Sequence, residues 1–222
     1  MVVSRVTLLV DLDGTLLDTA PDMGAALNVV RAEEGLAALS LAHLRPQVSH
    51  GAAGLIRLAF PGAPEAAQAA LRWRFVQHYS RALTEHGTAL FAGFAPLLAQ
   101  LAAAGRPWGI VTNKPAWLTD PLLERLALPH PPAVVVSGDT TTQRKPHPLP
   151  LQHACSQLQV DPSTCLYLGD AERDIQAARS AGMPSAIALW GYLDTDAAHL
   201  RWGADHHVTH PADLGALLAL HP

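Results

Sequence analysis

Downstream of Trp108 the chain alternates short apolar runs with longer helix-like segments, and no other feature limits its fold as strongly. WGIVT, AVVVSG, CLYLGD and SAIALW are the apolar runs. AWLTDPLLERLAL, PLPLQHACSQL and DIQAARSAG lie between them, and a weaker strand DHHVT and a helix PADLGALLAL close the series. Short buried strands alternating with helices predict a parallel α/β sheet. Thr7 to Val10 reads as the first strand, and Gly105 and Gly182 stand where helices should end. The expected class is α/β: a Rossmann-like parallel sheet core with helices on both faces.

Between Asp18 and about Leu90 the texture changes. PDMGAALNVVRAEEGL, SLAHLRPQVSHGAAGLIRLAF and APEAAQAALRWRFVQHYSRALTEHG are helical, alanine-rich and free of strand runs. An inserted all-helical cap domain over residues 18–89 is expected, on a core formed by 1–17 and 90–222. Its place would be above the C-terminal edge of the sheet, where open α/β sheets bind ligands.

Composition removes several classes of function. A formal charge of -4 leaves no basic footprint for nucleic acid. Arg72, Trp73, Arg74 and Arg81 read as a solvated helix face. Arg5 precedes a short apolar run, but Asp11 interrupts that run too early for a signal peptide. The longest apolar stretch, ALFAGFAPLLAQLAAAG, contains Pro96 and Gln100 and falls short of the ~20 apolar residues that span a membrane. It reads as a loop leading into a core helix. Cys155 and Cys165 form no CxxC pair and suit a reducing cytosol as core residues. The expectation is a cytoplasmic protein with no membrane or nucleic-acid partner; its oligomeric state is not legible.

Four polar marks each follow an apolar run: Asp11-Leu12-Asp13-Gly14-Thr15, Thr112-Asn113-Lys114, Lys145-Pro146, and Gly169-Asp170 with Asp174. A parallel sheet brings strand C-termini to one edge, so all four can converge. In this order they resemble the four motifs of the haloacid dehalogenase superfamily, over nearly the whole chain. The insert after the first motif resembles that superfamily's small-cap subgroup. VTNKP, GDAERDIQAARSAGM, WGYL and WGAD are similar to the phosphoglycolate-phosphatase-like proteins that include N-acetylmuramic acid 6-phosphate phosphatases.

The resemblance implies a phosphatase acting on a small phosphorylated metabolite, and the residue types suit that chemistry. A phosphate monoester repels nucleophiles, so a site must neutralise charge and place an attacker in line with the leaving oxygen. Asp11 is the expected nucleophile, forming an aspartyl-phosphate. Asp13 is the expected general acid, then base. Mg2+ favours few carboxylates with several waters, and Asp11, the Asp13 carbonyl and Asp170 make a fitting set. Asp174, one helical turn beyond Asp170, would hold a metal-bound water or orient Lys145. Thr112, Asn113 and Lys145 are the expected phosphate contacts, although Asn113 serves equally well as a turn residue. Lys114 and Lys145 are the only lysines in the chain; a compact ammonium can fit between carboxylates and phosphate where a guanidinium cannot.

Other positions carry weaker expectations. Asp18 reads as a hinge or helix N-cap residue. Lys114 reads as a surface or substrate-rim residue. His50, Gly51 and Arg57, in SHGAAGLIRL, resemble the cap segment that faces substrate in this family. His206, His207 and His210 lack the cysteine or carboxylate pattern of a transition-metal site and read as a strand end. A dehalogenase has no need of Asp13. A phosphonatase of this family needs a cap lysine, which the region 18–90 lacks. A sugar-phosphate mutase would use the same catalytic residues. A non-catalytic binding module would have lost one or more of them. FAGFAPLL stands where the family commonly has a proline-glycine turn, which bears on the hinge.

Overall fold

The structure, a computed structural model, describes residues 6–193 and 197–220; Arg5 lies outside them. Along the chain come β1 (Thr7–Val10), β2 (Leu17–Asp18), α1 (Ala20–Glu33), α2 (Leu41–Leu44), α3 (Gly51–Ala59), α4 (Glu65–Arg81) and β3 (Ala89–Leu90). They are followed by α5 (Phe94–Ala103), β4 (Trp108–Val111), α6 (Ala116–Leu126), β5 (Val134–Val136), α7 (Leu149–Leu158) and β6 (Cys165–Gly169). The last are α8 (Glu172–Ser180), β7 (Ser185–Ala188), β8 (His206–Val208) and α9 (Leu214–Leu217).

Six strands form one parallel sheet in the order β5-β4-β1-β6-β7-β8. The order turns at β1: successive strands run outward through β4 and β5 on one side of it and through β6, β7 and β8 on the other. Loops leaving such strands separate and open a crevice at the C-terminal edge. Successive side chains of β1 point to opposite faces, and both faces are dry. Leu8 and Val10 join α5, α6 and α9 in one apolar cluster, while Leu9 joins α7 and α8 in another. Two-sided burial explains why β1 is apolar throughout.

The expected α/β class is what the structure shows, with helices on both faces. Gly105 and Gly182 do end helices, at φ of 61° and 69°. The closing helix is shorter than PADLGALLAL suggests, with a 3-10 turn at Pro211–Asp213 before α9. Among the described residues, no helix is long and apolar enough to cross a membrane.

One element escapes sequence reading. Leu17 pairs with Leu90 and Asp18 with Ala89, an antiparallel ribbon through which the chain leaves and re-enters the sheet region. Asp18 therefore belongs to a strand and does not cap a helix, because Thr19 occupies the N-cap position of α1. The Asp18 carboxylate accepts instead from Arg45 at 2.5 Å and from the Tyr192 hydroxyl at 2.8 Å. Where the family commonly has a proline-glycine turn, Gly93 alone makes the turn into α5, at φ 100°. A side chain there would meet His210. Helices α1 to α4 share the apolar cluster of the sheet through Leu27, Leu44, Leu55 and Phe75. Shared burial seats them against the core.

Candidate active site

Asp11 is the first residue past β1, where its backbone N–H still donates to Leu168 O at 2.8 Å. Its side chain is buried, and Oδ1 accepts from the Leu12 N–H at 2.7 Å. The same oxygen lies 2.9 Å from Lys145 Nζ, which also lies 2.8 Å from Asp174 Oδ1. Lys145 is thus a buried cation between two buried carboxylates. Its ammonium donates further to Val111 O at 2.9 Å and to the Tyr167 hydroxyl at 2.7 Å. Tyr167 in turn donates to Val111 O. Burial and the nearby Asp174 and Asp11 charges push the Tyr167 phenol well up, so it stays neutral. Sequence reading placed Tyr167 in a core strand and missed this role.

Asp13 faces the other lysine. Lys114 Nζ donates to Asp13 Oδ1 at 3.0 Å and Oδ2 at 3.2 Å, and Thr19 Oγ1 donates to Oδ1 at 2.7 Å. Contrary to the surface reading, Lys114 is buried; it does line the cavity. Burial alone would lower its affinity for a proton, but Asp13 and Tyr79 outweigh burial and raise it, so the ammonium stays charged.

Asp170 follows β6 and Asp174 lies in the first turn of α8, where it accepts from Ala171 N–H at 3.0 Å. Oxygens of Asp11, Asp170 and Asp174 all fall within 4.8 Å of one another. Asp170 accepts from Ser49 Oγ at 2.6 Å, Tyr192 N–H at 2.9 Å and, more weakly, Thr15 Oγ1 at 3.4 Å, with no cation among these partners. Gly14, at φ 83°, admits this close approach: a Cβ there would stand 2.1 Å from Asp170 Oδ2. Burial, then Asp11 and Asp174, push the Asp170 carboxyl up to about 7. Three buried carboxylates with one shared ammonium fit a hard divalent cation.

That shift gives a signed prediction. The folded protein holds a proton on Asp170 more tightly than the unfolded chain, whose ordinary value is 3.8. Without metal, Asp170 therefore contributes a loss of stability as pH climbs from 3.8 to about 7. A divalent cation needs the ionised form. Mg2+ should raise Tm more at pH 8 than at pH 5.5, by several degrees at millimolar metal. Thermal melts in Mg2+ and in EDTA at the two pH values check this; equal shifts would count against the acidic cluster as the metal site.

A cavity of about 420 Å3 opens between the sheet edge and the helical insert, lined by Asp11, Asp13, Thr112 and Asn113 from the sheet side. Thr112 is buried at the end of β4, and its Oγ1 accepts from Lys114 N–H at 3.2 Å. Asn113 spends its carboxamide on Lys145: Nδ2 donates to Lys145 O at 2.9 Å and Oδ1 accepts from Lys145 N–H at 3.0 Å. Of its two readings, this geometry favours the turn residue. His50 and Gly51 line the cavity. Arg57 is exposed on α3 and absent from the lining, a correction to its expected role. Six residues at about 100° each turn it roughly 120° away from Gly51.

Ser49 and Arg173 also line the cavity and were not singled out from sequence. Ser49 lay one residue before the recognised His-Gly pair. Arg173 lay inside GDAERD, but a charge at a helix start carries no signal of its own. Burial opposes its charge, while Asp174, Asp11 and Asp170 together hold the guanidinium ionised. Among the described residues, His206, His207 and His210 join no cluster that could hold a metal.

Known proteins resemble the chain over nearly its whole length. The family model described as haloacid dehalogenase-like hydrolase matches residues 8–188. A phosphoglycolate phosphatase of Xanthomonas campestris pv. campestris is 48% identical over 93% of this chain and 93% of its own. An N-acetylmuramic acid 6-phosphate phosphatase of Pseudomonas putida is 40% identical over 93% of this chain and 92% of its own. Among solved structures, a predicted phosphoglycolate phosphatase from Haemophilus somnus 129PT superposes with a TM-score of 0.84 at 25% identity, covering 98% of this chain and 99% of that one.

Proposed function

The chain belongs to the haloacid dehalogenase-like hydrolase family, and from that premise we propose a Mg2+-dependent phosphatase of a small phosphorylated metabolite. The observation that carries the reading is the pairing of each aspartate of DLD with its own buried lysine, beside a buried acidic cluster. Asp11, the Asp13 carbonyl and Asp170 would hold Mg2+, with Asp174 acting through a water. When bound, the ion offsets the repulsion between Asp11 and the phosphoryl oxygens.

Asp11 attacks phosphorus, and the bond to the leaving oxygen breaks as the aspartyl-phosphate forms. Asp13 gives its proton to the departing alkoxide. In the second half, Asp13 takes a proton from the water that attacks phosphorus, which releases phosphate and restores Asp11. Lys145 holds Asp11 and Asp174 in place, and Thr112 binds a phosphoryl oxygen. Asn113 fixes the Lys145 backbone. Residues 18–89 act as the cap domain, with the ribbon of β2 and β3 as its hinge, and exclude water from the cavity. The enzyme works in the cytoplasm, a reading supported by two buried cysteines that remain thiols, their sulfurs 3.8 Å apart.

Two relatives' names frame the substrate: phosphoglycolate and an amino-sugar phosphate. The cavity's insert side is apolar at Val48, Phe75 and Val76. With Mg2+, free phosphate should be released from at least one of the two, with kcat/KM at or above about 10^4 M⁻¹s⁻¹ for the better. Phosphate release and product analysis check this. An isomerised product with no free phosphate would make the protein a mutase.

A further inference from the structure

The two lysines of this chain do different jobs. Lys145 holds the nucleophile. Lys114 holds Asp13, but it is itself held from the insert: Nζ lies 2.9 Å from the Tyr79 hydroxyl on α4 and 4.6 Å from the Tyr79 ring centroid. Tyr79 is 1% exposed and stacks on Phe75, with ring centroids 6.1 Å apart and planes 4° from parallel. An ammonium has three protons. Here the two Asp13 oxygens and the Tyr79 hydroxyl supply three acceptors within 3.2 Å.

We infer that Lys114 is a positioning residue for Asp13, and that Tyr79 of the helical insert holds Lys114 in place for that task. When Asp13 carries its proton on Oδ2, Lys114 and Thr19 still hold Oδ1, so the carboxyl keeps its orientation about the Cβ–Cγ bond and the proton is delivered along one direction. A hydroxyl on the insert completes the grip, so the aim of a group on the sheet edge depends on a residue of α4. An arginine would not be equivalent: its planar fork fixes the direction of its donors, whereas a compact ammonium reaches Asp13 and Tyr79 from one nitrogen. This explains why a chain so sparing of lysine keeps one at position 114.

The inference rests on the reading of Asp13 as the general acid, and the test separates the two. Aryl phosphates with good and poor leaving groups differ in their need for a proton. kcat/KM is governed by the step that expels the leaving group and is blind to the later hydrolysis of the aspartyl-phosphate. Lys114→Met should raise the ratio of kcat/KM for 4-nitrophenyl over phenyl phosphate by about tenfold or more relative to wild type. Tyr79→Phe keeps the stacked ring and should move the ratio the same way by less. The double variant should match Lys114→Met, because the hydroxyl acts through the ammonium. Asp13→Asn run alongside is the control. If it raises the ratio while both folded variants leave it unchanged, the role of Lys114 is overturned and the acid assignment stands. If Asp13→Asn itself leaves the ratio unchanged, the acid assignment falls and the inference falls with it.

Discussion

Replacing Asp11 with asparagine is expected to lower kcat by about four orders of magnitude or more and to leave the protein folded. An amide cannot form the acyl-phosphate, and none of the neighbouring carboxylates stands in for it: Asp174 is locked by Lys145 and Ala171 N–H, and Asp170 by Ser49 and Tyr192. The fold has little reason to suffer. Asparagine Oδ1 can go on accepting from Lys145 and from the Leu12 N–H. Asp11 is also one of the charges that push up both Asp170 and Asp174, so neutralising it relieves a repulsion in the metal-free protein. In EDTA the Tm of Asp11→Asn should equal or exceed that of wild type, while its rise on adding Mg2+ should shrink. Phosphate release and paired melts check all three, and substantial turnover by the variant would remove Asp11 as nucleophile.

The legible part of this molecule is the part where burial and charge conflict. A run such as TLLV ending at Asp11 can only be a buried strand that stops at a functional edge, and β1 spans Thr7–Val10 as read. Three such junctions, at Asp11, Thr112 and Asp170, share one edge in a parallel sheet, which is why their convergence could be reasoned without coordinates; Lys145 lies nine residues past the end of β5, and its place beside Asp11 was legible only from its motif. The ribbon of β2 and β3 could not be: two residues per strand carry no period, and their pairing spans the whole insert. Tyr167 and Lys114 were misjudged for one reason. A tyrosine in CLYLG is indistinguishable from core by pattern, and a lysine after a strand is indistinguishable from surface. Only the third dimension shows each buried against a single charged partner, Tyr167 on Lys145 and Lys114 on Asp13. Ser49 escaped because its partner, Asp170, lies 121 residues away.

Removing the other lysine should affect activity and stability together, opposite to the separation expected for Asp11→Asn. Lys145→Met leaves Asp11 and Asp174 buried without the ammonium that both touch. Breaking a buried ion pair from one side costs about 3–5 kcal/mol, which for a chain of this size is a fall of roughly 10 °C in Tm. Turnover should drop by about three orders of magnitude, since the nucleophile is no longer aimed and a cation beside the phosphoryl site is gone. The pH dependence gives the charge argument its own test. Burial already holds the Asp174 carboxyl above its ordinary value, and Lys145, with a smaller part from Arg173, pulls against that rise. Without the lysine it rises further, so toward acid pH a proton takes over the missing charge. The Tm deficit of Lys145→Met should therefore narrow at pH 5 and widen at pH 8, measured in EDTA so that metal does not mask it. A deficit that is the same at both pH values would assign Lys145 to packing alone.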